Sequence, residues 1–310
     1  MIIVAGVSPS LDLTYLVPEL RLGQIQRSSE VVRCAGGKPL NMARVANTLG
    51  AGVCVVAILG GATGAELAGA LTAAGIELVT VDTPAATRTC VSIAAADTGA
   101  LTEVYQNAAP VPEPVWSRFV VELATVLDQR SGWLVVNGGC PPGVDGGAVA
   151  EMVDLARRSG FRVAVDTYGP ALAATVAAGP ELVKVNRVEA AELLGGEPDT
   201  DLLEMATELQ ARTGRLVVLT DGVHGAALAD GRHRLRAEPM PTVGPYPVGS
   251  GDAFLAGLVD VLSGSDDVEL ALRTGVACGV ANALQPGPGN LRFSDVRRLR
   301  GEVRLTAAGA

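Results

Sequence analysis

Aromatic residues are scarce in this chain, since Phe, Tyr and Trp make up only 3% of its 310 residues. Ala, Val and Leu must therefore fill most of the core. Hydrophobic residues account for 48% of the chain and charged residues for 18%, which excludes an intrinsically disordered protein. At this length the chain can bury a sizeable core, either as one large α/β domain or as two small ones.

Basic stretches are also missing, because the longest run of Lys or Arg is two residues. The chain has 24 Lys and Arg residues against 33 Asp and Glu residues, which gives a net charge of −9. Nucleic acids and anionic membrane surfaces are therefore not expected as partners. An anionic substrate would need cations gathered locally to hold it.

Cysteine and histidine lack the spacing of a disulfide framework or a zinc site. The five cysteines are scattered, odd in number and without a C-x-x-C pair, which favours reduced thiols in a cytosolic protein. Neither His224 nor His233 has ligand spacing with a cysteine, so zinc is not expected. No apolar run reaches 18 residues, and the N-terminal segment lacks a basic region. We therefore expect a cytoplasmic protein without a membrane span or a secretion signal.

Short runs rich in Val, Ile and Leu alternate with helical patterns along the chain. Buried strands are predicted at 2–7, Val53–Leu59, Trp133–Asn137, Arg162–Asp166, Leu182–Asn186 and Leu216–Thr220. Helices are predicted near 39–49, 64–74, 114–129, 146–159, 187–194, 200–213, 251–263 and 268–284. This order predicts an α/β fold with a doubly wound, mainly parallel sheet and helices on both faces. A hairpin at 226–237 adds antiparallel strands at one edge.

Two segments, about 11–33 and 77–107, contain period-2 patterns and no helix between their strands. They form either a pair of edge hairpins or a small β-sheet that stands apart from the main sheet as a lid. We favour the lid. No linker or repeat divides the chain, so residues 1–310 are expected to be a single domain with this discontinuous lid.

A glycine-rich turn opens directly into a predicted helix at Gly249, Ser250, Gly251 and Asp252. The free N–H groups and the positive dipole end of such a helix form a natural phosphate site. Asp252 lies in the first turn, beside any anion that binds there. Its alternative role is that of an ordinary acidic residue complementing the helix dipole.

At another strand-to-helix junction, Asn186 and Glu189 lie three residues apart and face the same direction. Paired oxygen ligands of this kind suit Mg²⁺. The alternative is a helix cap, in which Asn186 is the N-cap and Glu189 reaches back to it.

Two more glycine-containing segments follow predicted strands. Thr220, Gly222 and Gly225 come after a buried strand, where glycines allow the backbone to approach a nucleotide. Gly36, Gly37, Lys38 and Pro39 lead into a helix that carries Asn41 one turn later, and Pro39 fits the first helical position. This second segment lacks the spacing of a Walker A loop.

These motifs follow one another in the order Asp12, Gly36-Gly37-Lys38-x-x-Asn41, Asn186-x-x-Glu189, Thr220-x-Gly222-x-x-Gly225 and Gly249-x-Gly251-Asp252. In this order they resemble the PfkB (ribokinase-like) carbohydrate kinase family over nearly the whole chain. The resemblance implies a ribokinase-like doubly wound α/β domain with a β-lid, which uses ATP and Mg²⁺.

The resemblance also implies roles for individual residues. Asp252 corresponds to the catalytic base, and Gly249, Ser250 and Gly251 correspond to the anion hole. Asn186 and Glu189 correspond to the motif that holds Mg²⁺ through water. Residues implied at the ATP site are Lys184, Asn186, Thr220, Gly222, Gly225, Gly251 and Asn282. Residues implied at the sugar site are Asp12, Gly37, Lys38 and Asn41.

Within the family, the chain resembles the branch of 1-phosphofructokinase, minor 6-phosphofructokinase and tagatose-6-phosphate kinase, which acts on sugar phosphates. Arg27, Lys38 and Arg88 are three cations on the predicted lid strands or the first glycine loop, and together they could bind a dianion. Pro39 stands where this branch usually has Gly, and Gly139 stands where it usually has Ser. Both departures concern the sugar side.

Three functions remain open from the sequence. The first is an ATP-dependent sugar-phosphate kinase, and the second is a kinase of an unphosphorylated sugar or nucleoside. The third is a non-catalytic sugar or nucleotide sensor, against which Asp252 and the anion hole argue. A dinucleotide-dependent oxidoreductase fits poorly, because no G-x-G-x-x-G follows the first strand. Exposed lid edges favour a homodimer.

Overall fold

The computed structural model describes residues 1–197 and 199–307. In that part of the chain the strands, named β1 to β14 in order, are Ile2–Gly6, Ser10–Val17, Glu30–Gly36, Val53–Leu59, Glu77–Asp82, Thr89–Ala95, Leu101–Tyr105, Trp133–Asn137, Arg162–Asp166, Leu182–Asn186, Leu216–Thr220, Ala226–Ala229, Arg234–Ala237 and Leu305–Ala307. The helices, named α1 to α10, are Lys38–Leu49, Gly61–Ala73, Glu113–Asp128, Gly146–Arg158, Gly169–Ala177, Arg187–Leu194, Leu202–Thr213, Ser250–Gly264, Val268–Ala283 and Phe293–Glu302. A 3₁₀ turn covers Gly222–His224.

Ten strands form one sheet in the order β14-β13-β12-β11-β10-β9-β8-β1-β4-β5. Neighbouring strands run parallel throughout the part of this order that begins at β11 and ends at β5. At the other edge β12, β13 and β14 each pair antiparallel with their neighbours. The predicted parallel sheet and its edge hairpin are confirmed. The sequence patterns missed helices α5 and α10. Helix α5 is rich in alanine and has little polar face, so it shows no amphipathic period.

Alternate residues of each central strand enter two separate cores. Ile2 and Val4 of β1 belong to a core on the face covered by α1, α2, α8, α9 and α10. Ile3 and Ala5 belong to a second core under α3 to α7. Both faces of the sheet are therefore buried, which is why its strands are continuous apolar runs. No helix in the described residues is long and apolar enough to cross a membrane.

A second, smaller sheet has the order β3-β2-β6-β7. The pairs β2–β3 and β6–β7 are antiparallel, whereas β2 and β6 run parallel. The prediction that 77–107 belongs entirely to this sheet is wrong, because Glu77–Asp82 pairs with β4 at the edge of the main sheet. Val81 of that strand is fully buried in the core under α3. A half-buried edge strand and a lid strand share the same period-2 pattern, so the sequence alone did not distinguish them.

Strand β1 marks the point at which the order of the main sheet reverses. The chain places β4 and β5 on one side of it and β8, β9, β10 and β11 on the other. In open α/β sheets the crevice outside the carboxyl ends of the strands at such a point is the usual ligand site. Asn137, Asp166, Asn186 and Thr220 all end strands at this edge.

Candidate active site

Asp252 lies at the N-terminus of α8, and only 4% of its surface is exposed. Its Oδ2 accepts a hydrogen bond of 3.0 Å from Nδ2 of Asn41. Burial raises the pKa of Asp252 to about 7, and the charge of Asp166 acts in the same direction, against Lys38 and the Asn41 bond. A carboxyl group with this pKa can both accept and release a proton near neutral pH.

The backbone before Asp252 exposes amide groups at the start of α8. Gly249 is the N-cap with φ +81°, and a Cβ on it would lie 2.7 Å from Cβ of Pro288, so glycine is required there. The Ser250 N–H donates to the Pro247 carbonyl oxygen. The next amides, of Gly251 and Asp252, have no intrahelical acceptor because they lie in the first helical turn. This end of α8 is therefore suited to an anion.

Asp166 is a site residue that the sequence analysis missed. It is 1% exposed at the end of β9, and its two carboxylate oxygens accept from Nζ of Lys38 at 3.1 Å and from Nζ of Lys184 at 2.7 Å. Burial alone would raise the pKa of Asp166, but the two ammonium groups hold it below its usual value. In turn, Asp166 is the main reason that the pKa of Lys38 lies above its usual range.

Because Asp166 is bonded to both lysines, it holds their ammonium groups close to the start of α8. A Cβ on Gly251 would lie only 3.0 Å from Nζ of Lys184, so a side chain there would crowd the ammonium group. Lys38 is close enough to Asp252 for each charge to alter the pKa of the other. Asp166 could have been identified as a site residue from its position, because it is an acidic residue that ends a buried strand next to the reversal point of the sheet.

The small sheet places Asp12 beside the first turn of α1. Asp12 Oδ1 accepts from the Ser10 hydroxyl at 2.5 Å, and Oδ2 accepts from the Gly37 N–H at 3.1 Å. Burial raises the pKa of Asp12 despite these bonds. A Cβ on Gly36 would overlap the Asp12 carboxylate, which explains the glycine. Within the described chain the buried Oδ1 of Asn41 has no hydrogen-bond partner, and a hydroxyl-bearing ligand would provide one.

A cleft of about 800 Å³, including space open to solvent, lies on the other side of α8. Thr220, Gly222, Gly225 and Gly251, which the resemblance implies at the ATP site, line it together with Ser250, whereas Lys184 and Asn186 do not. Its remaining walls are largely apolar and include Met240, Val243, Val276, Val280 and Ala283. The cleft is suited to a flat heterocycle whose phosphates extend towards the start of α8.

Asn282 does not line this cleft, and the prediction that it does is corrected. Its side chain is fully buried and donates to the Val248 carbonyl oxygen at 2.8 Å and to the Ser250 hydroxyl at 3.1 Å. Its Oδ1 accepts from the Gly289 N–H at 2.7 Å. Through these hydrogen bonds, Asn282 stabilises the turn before α8 from the buried side. The outward face of the same helix is formed by Gly279, Val280 and Ala283.

Asn186 and Glu189 form a helix cap at the start of α6. Asn186 Oδ1 accepts from the Glu189 N–H at 2.9 Å, and Glu189 Oε2 accepts from the Asn186 N–H at 2.8 Å. This capping box uses one of the two carboxylate oxygens. The Glu189 charge still contributes to the raised pKa of Lys38, so it acts on the lysine cluster.

The donor set around Glu189 fits Mg²⁺ of the kind that is bound together with phosphates. No group of three His, Cys, Asp or Glu residues that could hold a metal occurs in residues 1–197 and 199–307. Mg²⁺ commonly takes only one or two carboxylates, with waters and substrate phosphates as its other ligands. Asp166 is already paired with two lysines, whereas Glu189 keeps Oε1 outside the cap.

The three predicted phosphate-binding cations have different surroundings. Lys38 belongs to the Asp166 cluster, as described above. Arg88 donates to the carbonyl oxygens of Ser8 and Gln106 at 3.3 Å and lowers the pKa of Asp12, so it lies beside the Asp12 pocket. Arg27 is exposed in the loop between β2 and β3, and Arg88 directly precedes β6, so neither lies on a strand as predicted. No described contact joins Arg27 to the other two.

The model of the pfkB family carbohydrate kinases matches residues 4–293. The chain is 32% identical to the 1-phosphofructokinase of Rhodobacter capsulatus over 286 residues, which cover 91% of this chain and 90% of the relative. It is 29% identical to the ATP-dependent 6-phosphofructokinase isozyme 2 of Escherichia coli over 299 residues, which cover 94% and 96%.

The fold also matches a solved structure. A crystal structure of Escherichia coli phosphofructokinase-2 in complex with potassium superposes with a TM-score of 0.89 at 27% identity, and the match covers 97% of this chain and 98% of that chain. The family match, the relatives and the fold agree with the motif order along the sequence. The chain belongs to the pfkB family of carbohydrate kinases.

Proposed function

We propose that this kinase transfers the γ-phosphoryl group of ATP to a primary hydroxyl of a sugar phosphate, with Asp252 as the general base. Fructose 1-phosphate, fructose 6-phosphate and tagatose 6-phosphate are the candidate acceptors. The observation that carries the proposal is the buried Asp252, whose pKa is raised to about 7 where the cleft at α8 meets the Asp12 and Asn41 pocket. The names of the two relatives support a phosphorylated sugar as the acceptor.

In this mechanism the residues position the reactants and stabilise charge, because phosphoryl transfer needs little covalent help from the protein. Asp252 takes the proton of the attacking hydroxyl. The Gly251 and Asp252 amides at the start of α8, together with Lys184, stabilise the charge on the transferring group. Asn41 holds the Asp252 carboxylate in place through its 3.0 Å hydrogen bond.

Glu189 and Asn186 would hold Mg²⁺ through water at the phosphate end of the ATP cleft. When bound there, Mg²⁺ neutralises charge on the ATP phosphates. Thr220, Gly222 and Gly225 line the cleft that receives the nucleotide. Nζ of Lys184 lies 3.0 Å from where a Cβ of Gly251 would stand, so its ammonium group is close to the start of α8.

On the acceptor side, Asp12, the Gly37 backbone and the free Oδ1 of Asn41 are the groups for sugar hydroxyls. Lys38, which is bonded to Asp166, and Arg88, which lies beside Asp12, are the proposed partners of the acceptor phosphate. Arg27 joins them only if its loop moves inwards. The small sheet, which carries Asp12, is proposed to act as a lid that limits water at the reacting phosphate.

A kinase of an unphosphorylated sugar or nucleoside is the second candidate. It is favoured by the exposed position of Arg27, which leaves two of the three predicted cations near the pocket. A non-catalytic sensor is disfavoured, because a binding protein has no need for a buried carboxyl group with a pKa near 7.

We further propose that the molecule forms a homodimer through the edges of the small sheet. Val31 on β3 and Val104 on β7 are exposed to 39% and 61% on its two outer strands. An unpaired strand edge with exposed apolar side chains is a common docking surface between copies of a chain.

An ADP-release assay with ATP and Mg²⁺ across the three sugar phosphates, free sugars and nucleosides tests the proposed function. We expect turnover with at least one sugar phosphate and little with the unphosphorylated compounds. Arg88→Ala should then raise the KM for the sugar phosphate at least about tenfold and leave the KM for ATP unchanged. Arg118→Ala, on the exposed side of α3, is the control. Preference for a free sugar, or a silent Arg88→Ala, would favour the second candidate.

A further inference from the structure

Two loops at the carboxyl edge of the main sheet are tied together beside the lysine cluster. The Gly138 N–H donates to the Asp166 carbonyl oxygen at 2.9 Å. The Thr167 hydroxyl donates back to the Gly138 carbonyl oxygen at 2.8 Å. The residues that follow, Gly139 and Tyr168, are thereby held against each other.

Tyr168 occupies the space next to the backbone of Gly139. The neighbouring Gly138 has φ +98°, in the left-handed region, but Gly139 lies outside that region and its backbone could carry any residue. A Cβ on Gly139 would instead overlap the hydroxyl oxygen of Tyr168. The phenol therefore occupies the position that a side chain of residue 139 would fill.

The ring of Tyr168 lies next to Lys38, and the residue remains partly exposed to solvent. Its side chain is 52% exposed, and Nζ of Lys38 lies 5.9 Å from the centre of its ring. Tyr168 is the N-cap residue of α5, but its side-chain hydroxyl makes no capping hydrogen bond. It thus has an aromatic face against a cation and a polar end that is available to a ligand.

Three residues that can bind an anion lie next to the loop of residues 138–141. Lys38 packs on Gly138, with its Cβ 3.4 Å from where a Cβ would stand. The Tyr168 hydroxyl follows at Gly139. Pro141 then shares a small cleft with Arg88 and Ser8. Along this loop, Gly138 therefore contacts Lys38, Gly139 faces the Tyr168 hydroxyl, and Pro141 borders the cleft that Arg88 also lines.

The side chain of Asn137 gives an independent sign of a ligand at this place. It is 5% exposed, it lies opposite Asp166 in the sheet register, and neither its Nδ2 nor its Oδ1 has a partner within the described residues. Buried amides are normally satisfied by protein, water or ligand. The two polar atoms of this buried amide, directly before the loop, therefore lack a partner unless a bound molecule or ordered water supplies one.

We infer that Tyr168 is an acceptor-binding residue, whose hydroxyl donates a hydrogen bond to the phosphate of the sugar phosphate between Lys38 and Arg88. The inference rests on the proposed function and adds the residue that takes the place of a side chain at position 139. Donation to a charged oxygen is among the stronger hydrogen bonds, so its loss is measurable in binding.

Tyr168→Phe is the direct test, because it keeps the ring on Lys38 and removes only the hydroxyl. We expect the KM for the sugar phosphate to rise about tenfold, with the KM for ATP and the melting temperature unchanged. The inhibition constant of inorganic phosphate against the sugar phosphate should rise by a similar factor. Tyr15→Phe is the control, since Tyr15 lines a separate cleft with Leu20 and Val91.

A double-mutant cycle tests the shared space. Gly139→Ser alone should raise the KM for the sugar phosphate, because the new side chain displaces Tyr168. In the Tyr168→Ala background the same change should lower it, because serine enters the vacated space. A silent Tyr168→Phe, or the same effect of Gly139→Ser in both backgrounds, overturns the inference and leaves the proposed function intact. A wild-type enzyme that rejects every sugar phosphate overturns both.

Discussion

At the scale of single residues, the protonation of Asp252 should govern both rate and stability. With a pKa of about 7, turnover should rise as the pH passes through 7. Asp252→Asn preserves shape and accepts the Asn41 bond, but it cannot take a proton, so turnover should fall roughly 10²–10⁴-fold. Steady-state kinetics from pH 5.5 to 9 measure both effects. Near wild-type turnover of the variant would remove Asp252 from the mechanism.

The same substitution gives a prediction for stability. The folded protein retains the Asp252 proton between the ordinary pKa of 3.8 and about 7, whereas the unfolded chain releases it. The wild-type enzyme should therefore lose stability relative to Asp252→Asn as the pH rises through this window. The variant should melt at a higher temperature than wild type at pH 8, by on the order of 5 °C, and at a similar temperature near pH 4. Equal melting temperatures at pH 8 would mean that the pKa is not raised.

Asp166 should be more important for stability than its single charge suggests, because it is bonded to two ammonium groups. Asp166→Ala removes the carboxylate to which both Lys38 and Lys184 are bonded, and Lys184 is buried. We expect a loss of about 3–5 kcal/mol in the free energy of unfolding, measured by urea denaturation. Asp145→Ala removes a helix N-cap of α4 and should cost only about 1 kcal/mol. Equal losses would mean that the cluster contributes no more than a cap.

At the scale of the element, Glu189 belongs both to the capping box of α6 and to the proposed Mg²⁺ site. Glu189→Gln keeps an oxygen for the Asn186 N–H and removes the charge. The Mg²⁺ concentration for half-maximal turnover should rise by about 3-fold or more, while the melting temperature stays the same. Glu189→Ala should change both. If Glu189→Gln changes neither, Glu189 acts only as a cap.

The capping box also shows what a local sequence pattern can determine. Asn186 and Glu189 lie three residues apart, and the same spacing predicted both the cap and a metal-linked role. The cap forms because it needs only the local backbone of α6. The proposed metal role depends on where Glu189 lies relative to the bound phosphates, which the spacing does not specify.

At the scale of the whole molecule, the proposed dimer depends on the exposed edges of the small sheet. Val104→Glu should reduce self-association because it places a charge at the β7 edge, and light scattering across a concentration series measures the mass. Val121→Glu on α3 is a matched control, since Val121 is exposed to 62% and Val104 to 61%. A wild-type monomer at all concentrations, or an equal effect of both variants, would contradict an interface at this edge.

The main sheet could be read from the sequence because its strands are buried on both faces and therefore appear as continuous apolar runs. Helix α5 could not, since it lacks a polar face. Helix α10 is short, and with only Val296 and Leu299 buried its apolar pattern is weak. The small sheet was recognised from its alternation, but Glu77–Asp82 has the same alternation and pairs with β4 instead. Alternation indicates that one face of a strand is buried, but it does not indicate which element packs against that face.

By itself, the sequence determined the features that depend on neighbouring residues. These are the alternation of strands and helices, the glycine turn before Asp252, and the capping box. Only the tertiary structure decided which distant groups meet. Asp166 lies 128 residues from Lys38, and Asn282 turns inwards to support the start of α8 although its helix also lines the cleft. Tyr168 fills the space beside Gly139, because side-chain positions across strands follow from packing and sheet register, which no local pattern contains.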